Sequence, residues 1–209
     1  MPNNHELVGA SAFEVIKVIL VSNPDVKSVN FKSYLPAKHF LEEDPKERSA
    51  VGRMLKENPA KLELKLTMDR ETVFSDSFGE IVNSNTAGGR CVAMLSTVKC
   101  QSTRRVFHIP MMDFGCDISS ENQMKIVEFL KAIGQKGFVL VSGASYHFYG
   151  STLLSEKDWT KFLGKMILFT DYVDVRYIGH RLNQGLCALR VTKNQKPNSI
   201  IPIVVAVVD

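Results

Sequence analysis

The chain has 209 residues, of which 44% are hydrophobic and 23% charged, with 13 glycines and 8 prolines. These are ordinary globular proportions and exclude collagen-like and low-complexity classes. Net charge is +4, and it is unevenly spread: residues 1–103 carry 13 basic and 13 acidic side chains, residues 104–209 carry 13 and 9. The C-terminal half therefore suits a weak anionic partner or, as composition alone favours, a solubilising surface.

Residues 1–9 form a polar lead-in. Residues 11–22 hold Phe13, Val15, Ile16, Val18, Ile19 and Leu20, a buried-helix pattern. Glu14 and Lys17 interrupt the stretch and no basic segment precedes it, so it reads as neither membrane span nor signal peptide. Pro24-Asp25 breaks it. Residues 26–34 alternate as a strand. A helix is expected from about Ser49, after Pro45, and Leu62, Leu64 and Leu66 alternate with polar residues as a half-buried strand. Residues 73–82 give a weaker signal, and a turn at 83–89 leads into a strand over 90–99. Residues 1–103 thus read as an N-terminal α+β module without evident chemistry.

Residues 104–209 are sharper. RVFHIPMMD, residues 105–113, reads as one strand running into Gly115. Ser119 or Ser120 can cap a helix closed by Gly134 and Gly137. Strands follow over 138–141 and 145–149, then a helix capped by Ser155 with Trp159, Phe162, Leu163 and Met166 on its apolar side. Three more strands are expected around 173–178, 186–192 and 200–208. The order is β-α-β-β-α-β-β-β, an α+β arrangement with a mainly antiparallel sheet and helices largely on one face. Four cysteines, at 91, 100, 116 and 187, lack CxxC spacing, so no zinc site is expected and a reduced cytoplasmic protein is the default.

Four places carry candidate chemistry. Asp113 ends a strand with Asp117 four residues on, and converging carboxylates bind a hard divalent cation. Ser145 and His147 share a strand face within GASYHFYG, where a hydroxyl and an imidazole can grip a phosphate oxygen. Asp174 lies in YVDVR as a possible third metal ligand. Arg190 sits inside an otherwise apolar strand, where an inward guanidinium needs an anionic partner, and Lys193 follows it. Asp113-Phe114-Gly115 matches the kinase tripeptide without the companion loops, and there is no P-loop, GxGxxG or GxSxG.

Taken together, VFHIPMMDFGCD, VLVSG, ASYHFYG, YVDVRYIGHRL and CALRVTK resemble the archaeo-eukaryotic primase superfamily, which includes primase-polymerases. The resemblance covers roughly residues 105–195. It implies an RNA-recognition-like core with an added N-terminal module, and nucleotide transfer with magnesium or manganese. Asp113, Asp117 and Asp174 would be the catalytic metal ligands. Ser145, His147, Arg190 and Lys193 would contact phosphates. The partners would be nucleoside triphosphate and nucleic acid, with no membrane. The sequence departs from the family's pattern at Gly115, where the second acid is expected, and Asp117 could substitute only across a bulge. A non-catalytic module of the same fold, binding nucleotide or single strands through Tyr146, Phe148, Tyr149 and Tyr177, is the alternative; an interaction protein without a ligand is a third reading.

Overall fold

A computed structural model describes residues 7–35, 64–193 and 199–209. The helix expected from Ser49 and the Leu62 position lie outside these residues. Helix α1 (Ala12–Ser22) opens with a capping box, the Ser11 hydroxyl accepting from the Glu14 N–H while the Glu14 carboxylate accepts from the Ser11 N–H. Its Val15, Ile16, Ile19 and Leu20 are buried, as the helical spacing predicts. Strands β1 (Val26–Tyr34) and β2 (Leu64–Asp69) pair antiparallel. Residues 73–82 belong to two short helices, α2 (Arg70–Phe74) and α3 (Phe78–Ser84), and not to a strand. Asp69 caps α2 by accepting from the Thr72 N–H. Phe78 of α3 packs edge-on against Phe13 and tilted against Phe31.

Strand β3 (Cys91–Cys100) follows. The stretch read as one strand over 105–113 is two strands in different sheets, β4 (Val106–His108) and β5 (Met111–Asp113). Pro110, with no N–H to donate, marks the break. Helix α4 (Ser120–Ala132), β6 (Gly137–Val141), β7 (Tyr146–Gly150), β8 (Leu154–Ser155) and α5 (Glu156–Ile167) come next. Ser119 caps α4 and Ser155 caps α5, each hydroxyl accepting an N–H three residues on. The segment expected as a strand at 173–178 is the start of α6 (Val175–Gln184), capped by Asp174 and closed by Gly185 in the left-handed conformation. Strands β9 (Ala188–Arg190) and β10 (Ile203–Val208) complete the described chain.

Two antiparallel sheets result. One runs β2-β1-β3-β4-β8, with β9 also pairing β3; the other runs β10-β6-β7-β5. Every pairing between these strands is antiparallel, and the fold is α+β. The larger sheet takes strands from both sides of residue 103, and β3 and β4, which flank that point, are neighbours. In the smaller sheet, alternate residues face opposite ways. Phe148 turns toward α5 and meets Phe162, while His147 and Tyr149 turn the other way, where the Tyr149 hydroxyl reaches the Leu189 carbonyl of β9 at 3.4 Å. The ends of β5 and β9 and the start of α6 therefore converge on one edge. Among the described residues no helix is long and apolar enough to cross a membrane.

Candidate functional site at the β5–β7 edge

Asp113 and His147 are direct cross-strand partners. They point to the same face, as the period-two spacing expects, and His147 Nε2 lies 3.5 Å from Asp113 Oδ1. Burial holds the imidazole neutral, pushing its pKa down to about 3, and the Arg190 charge acts in the same direction. Its Nδ1 is buried with no hydrogen-bond partner. The carboxyl of Asp113 is crowded yet reachable, with 46% of its side-chain surface open. Loss of hydration, then the nearby Asp174 charge, pushes its pKa up to about 7, against the pull of Arg190 and Arg181.

Asp174 reaches this edge by an isolated bridge between Phe114 and Val173 and by a 2.8 Å hydrogen bond from the Gly115 N–H to the Tyr172 carbonyl. Its carboxylate accepts from the Arg176 N–H at 2.9 Å, the ordinary work of a helix cap. Gly115 lies against it: a Cβ added at 115 would sit 3.6 Å from the Asp174 nitrogen and 4.0 Å from its Cβ. The place where the resemblance expects a second acid is thus beside Asp174 and carries no side chain.

Asp117 does not join the pair. It is exposed on the run into α4, where its carbonyl accepts from the Asn122 side chain. Among the described residues no three His, Cys, Asp or Glu side chains form a metal-binding group. The side chains present do not fit the expected three-carboxylate site for magnesium or manganese, because the step from Asp113 to Asp174 crosses a glycine.

Ser145 is committed to the main chain. Its hydroxyl lies 2.5 Å from the Phe114 carbonyl and 2.7 Å from that of Cys116, and its single proton serves one of them at a time. It ties the turn before β7 to the chain leaving β5. The Tyr146 hydroxyl does similar work at the start of α4, donating to the Ser119 carbonyl and accepting the Ser119 N–H.

Arg190 turns inward at the end of β9. Its guanidinium donates to the carbonyls of Ser142, Thr192 and Ile200. All three acceptors are neutral, and none of the ion pairs among the described residues involves Arg190. Gly143, at φ +121°, leaves an added Cβ 3.9 Å from the guanidinium, so the loop passes close without covering it. Lys193 is exposed just beyond.

The aromatic platform expected for the binding alternative is corrected. Tyr146, Phe148 and Tyr149 are fully buried in the core, because β7 has both faces covered. Tyr177 is half-buried, and burial pushes its hydroxyl pKa well up. Arg181 was not expected as a site residue. It lies seven residues after Asp174 on α6, two turns on along the same helical face, beside the Tyr177 ring at 5.1 Å. That spacing becomes visible only once the segment is recognised as a helix.

The β5–β7 edge thus gathers a carboxyl–imidazole pair, two guanidinium groups and a second carboxylate. The family model described as archaeo-eukaryotic primase 1D-like matches residues 71–203; this is well over half of the chain, which therefore belongs to that family. Comparison with curated proteins and with solved structures yields no match.

Proposed function

We infer that this protein binds nucleotides, free or within a single strand, through the phosphates, and that it does so without two-metal nucleotidyl transfer. One observation carries the reading: Arg190 brings a guanidinium to the Asp113–His147 edge with only neutral carbonyls as partners. A phosphate there would gain a charge-assisted hydrogen bond. Lys193, exposed at the rim, suits a second phosphate.

Catalysis would need cations held about 3.5–4 Å apart by shared acids. Asp113 and Asp174 supply two carboxylates, and Gly115 contributes none between them. That gap favours binding over polymerisation.

The test is a titration of labelled nucleoside triphosphate and labelled single-stranded DNA, followed by fluorescence anisotropy. Binding should weaken by about fivefold or more on Lys193→Ala or Arg190→Lys. Binding of neither probe would overturn the reading. Primer extension by the wild-type protein with magnesium or manganese would overturn its non-catalytic half.

A further inference from the structure

Three aromatic rings outside the anionic site stack in a column. Phe129 of α4 lies face to face with Phe169, with centroids 4.2 Å apart and planes 4° from parallel. Phe169 lies on Tyr172 at 4.1 Å and 10°. Aromatic pairs in proteins commonly sit about 4.5–7 Å apart, edge-on or offset; both contacts of this column are closer than that and nearly parallel. None of the three is fully buried. Lys125, one helical turn before Phe129, carries its ammonium 6.0 Å from the centre of the Tyr172 ring. That ammonium also bonds Glu121 at 2.7 Å, and the lysine side chain is about half exposed.

The column ends beside the site. The Tyr172 carbonyl holds the Gly115 N–H, Val173 bridges Phe114, and Asp174 caps α6 two residues on. The ring nearest the carboxylates is therefore the last of the stack, and beside it lies a half-exposed lysine side chain whose ammonium is paired with Glu121.

We propose that the Tyr172 end of the Phe129–Phe169–Tyr172 column is the platform on which a base of a bound single strand stacks. This rests on the single-strand-binding reading above and adds the subsite for the base. The two lower rings fix the plane of Tyr172 in advance, so the base meets a rigid surface. Lys125 swings from the ring toward the adjoining phosphate as the base arrives. Stacking tolerates any base, so the platform gives affinity without sequence choice. It also supplies what the core position of Tyr146, Phe148 and Tyr149 removes.

The test compares labelled oligodeoxyadenylate with an abasic strand of equal phosphate count. Wild-type protein should bind the adenylate strand about tenfold more tightly. Tyr172→Leu should remove that preference while leaving abasic binding in place, with Tm lowered by no more than a few degrees for the lost ring stacking. Tyr172→Trp should keep it, and its added indole emission should be quenched by adenylate beyond any change at Trp159. Retained preference in Tyr172→Leu, or no extra quenching in Tyr172→Trp, overturns the proposal. Equal binding of both strands by wild type also overturns it, while the phosphate-binding reading stands. Binding of neither strand overturns the two together.

Discussion

His147 and Asp113 oppose each other across β7 and β5, Nε2 to Oδ1 at 3.5 Å, and their environments drive both toward their uncharged forms. The consequence for stability follows from which state binds the proton more tightly. Folded Asp113 holds its proton up to about 7, well above an ordinary carboxylate, so its contribution falls as pH rises from the carboxylate range to about 7. Folded His147 resists protonation down to about 3, well below an ordinary imidazole, so its contribution falls as pH drops below about 6.5. The two slopes oppose each other in weakly acidic solution.

Replacing one partner should expose the slope of the other. Asp113→Asn should leave stability that rises with pH up to about 6.5, as the His147 window sets. At pH 8 it should raise Tm by roughly 2–4 °C, equivalent to about 1 kcal/mol after allowance for the carboxyl's open side. His147→Gln should leave stability that falls with pH up to about 7, the Asp113 window. Thermal melts from pH 4 to 8 read both, and slopes of the same sign in the two variants would refute the assignment.

Gly115→Asp should be tolerated. The contacts awaiting its Cβ are ordinary, 3.6–4.0 Å, and the glycine is not among those with positive φ. The new carboxylate would stand next to Asp174. Manganese affinity, read by electron paramagnetic resonance, should tighten about tenfold or more. Asp117→Asn should leave manganese binding as it was, since Asp117 stands apart on the approach to α4. An effect of Asp117 equal to that of Asp113 would mean that the loop closes over the site.

Ser145→Ala and Arg190→Ala should separate scaffold from ligand contact. The first removes a hydroxyl shared between two carbonyls and should cost about 1–2 kcal/mol of stability, with little change in nucleotide affinity once folded. The second strips donors from three carbonyls and should cost about 2–3 kcal/mol and most of the phosphate affinity. Denaturant melts and anisotropy titrations on the same samples distinguish them. Loss of affinity in Ser145→Ala at full stability would show that its hydroxyl meets the ligand.

Gly137→Ala should be among the most damaging single changes. Gly137 pairs directly with Gly150, and a Cβ there would come within 2.1 Å of the Tyr149 carbonyl and 2.7 Å of the Gly150 Cα. No rotamer relieves a collision with backbone. The expected loss is about 3 kcal/mol or more, read as poor soluble yield or a large drop in the denaturation midpoint.

Much of this was legible in the chain. The α1 helix is legible through its apolar spacing, α5 through Ser155 and the apolar spacing behind it, and β7 through the alternation that puts His147 on the face of Asp113. The α6 segment was not. Val173, Val175 and Tyr177 alternate with Asp174 and Arg176 as a strand would, and the helical choice depends on Asp174 capping and on Ile178 finding the core. The split at Pro110 was hidden for a related reason: which sheet a short strand joins is decided by partners far along the chain. Nothing in the Ser-x-His tripeptide reveals that the Ser145 hydroxyl also meets carbonyls about thirty residues earlier.

The pairing of β9 with β3 joins Arg190 to Ala93 and Ala188 to Leu95. A polypeptide emerging from the ribosome cannot close this contact until residue 190 is free, so the larger sheet waits with one edge of β3 uncovered through the synthesis of nearly a hundred residues. Such long-range closure slows folding and lengthens the exposure of an adhesive strand. The nascent protein should therefore depend on chaperones that shield extended apolar segments, and truncation before β9 should give insoluble product.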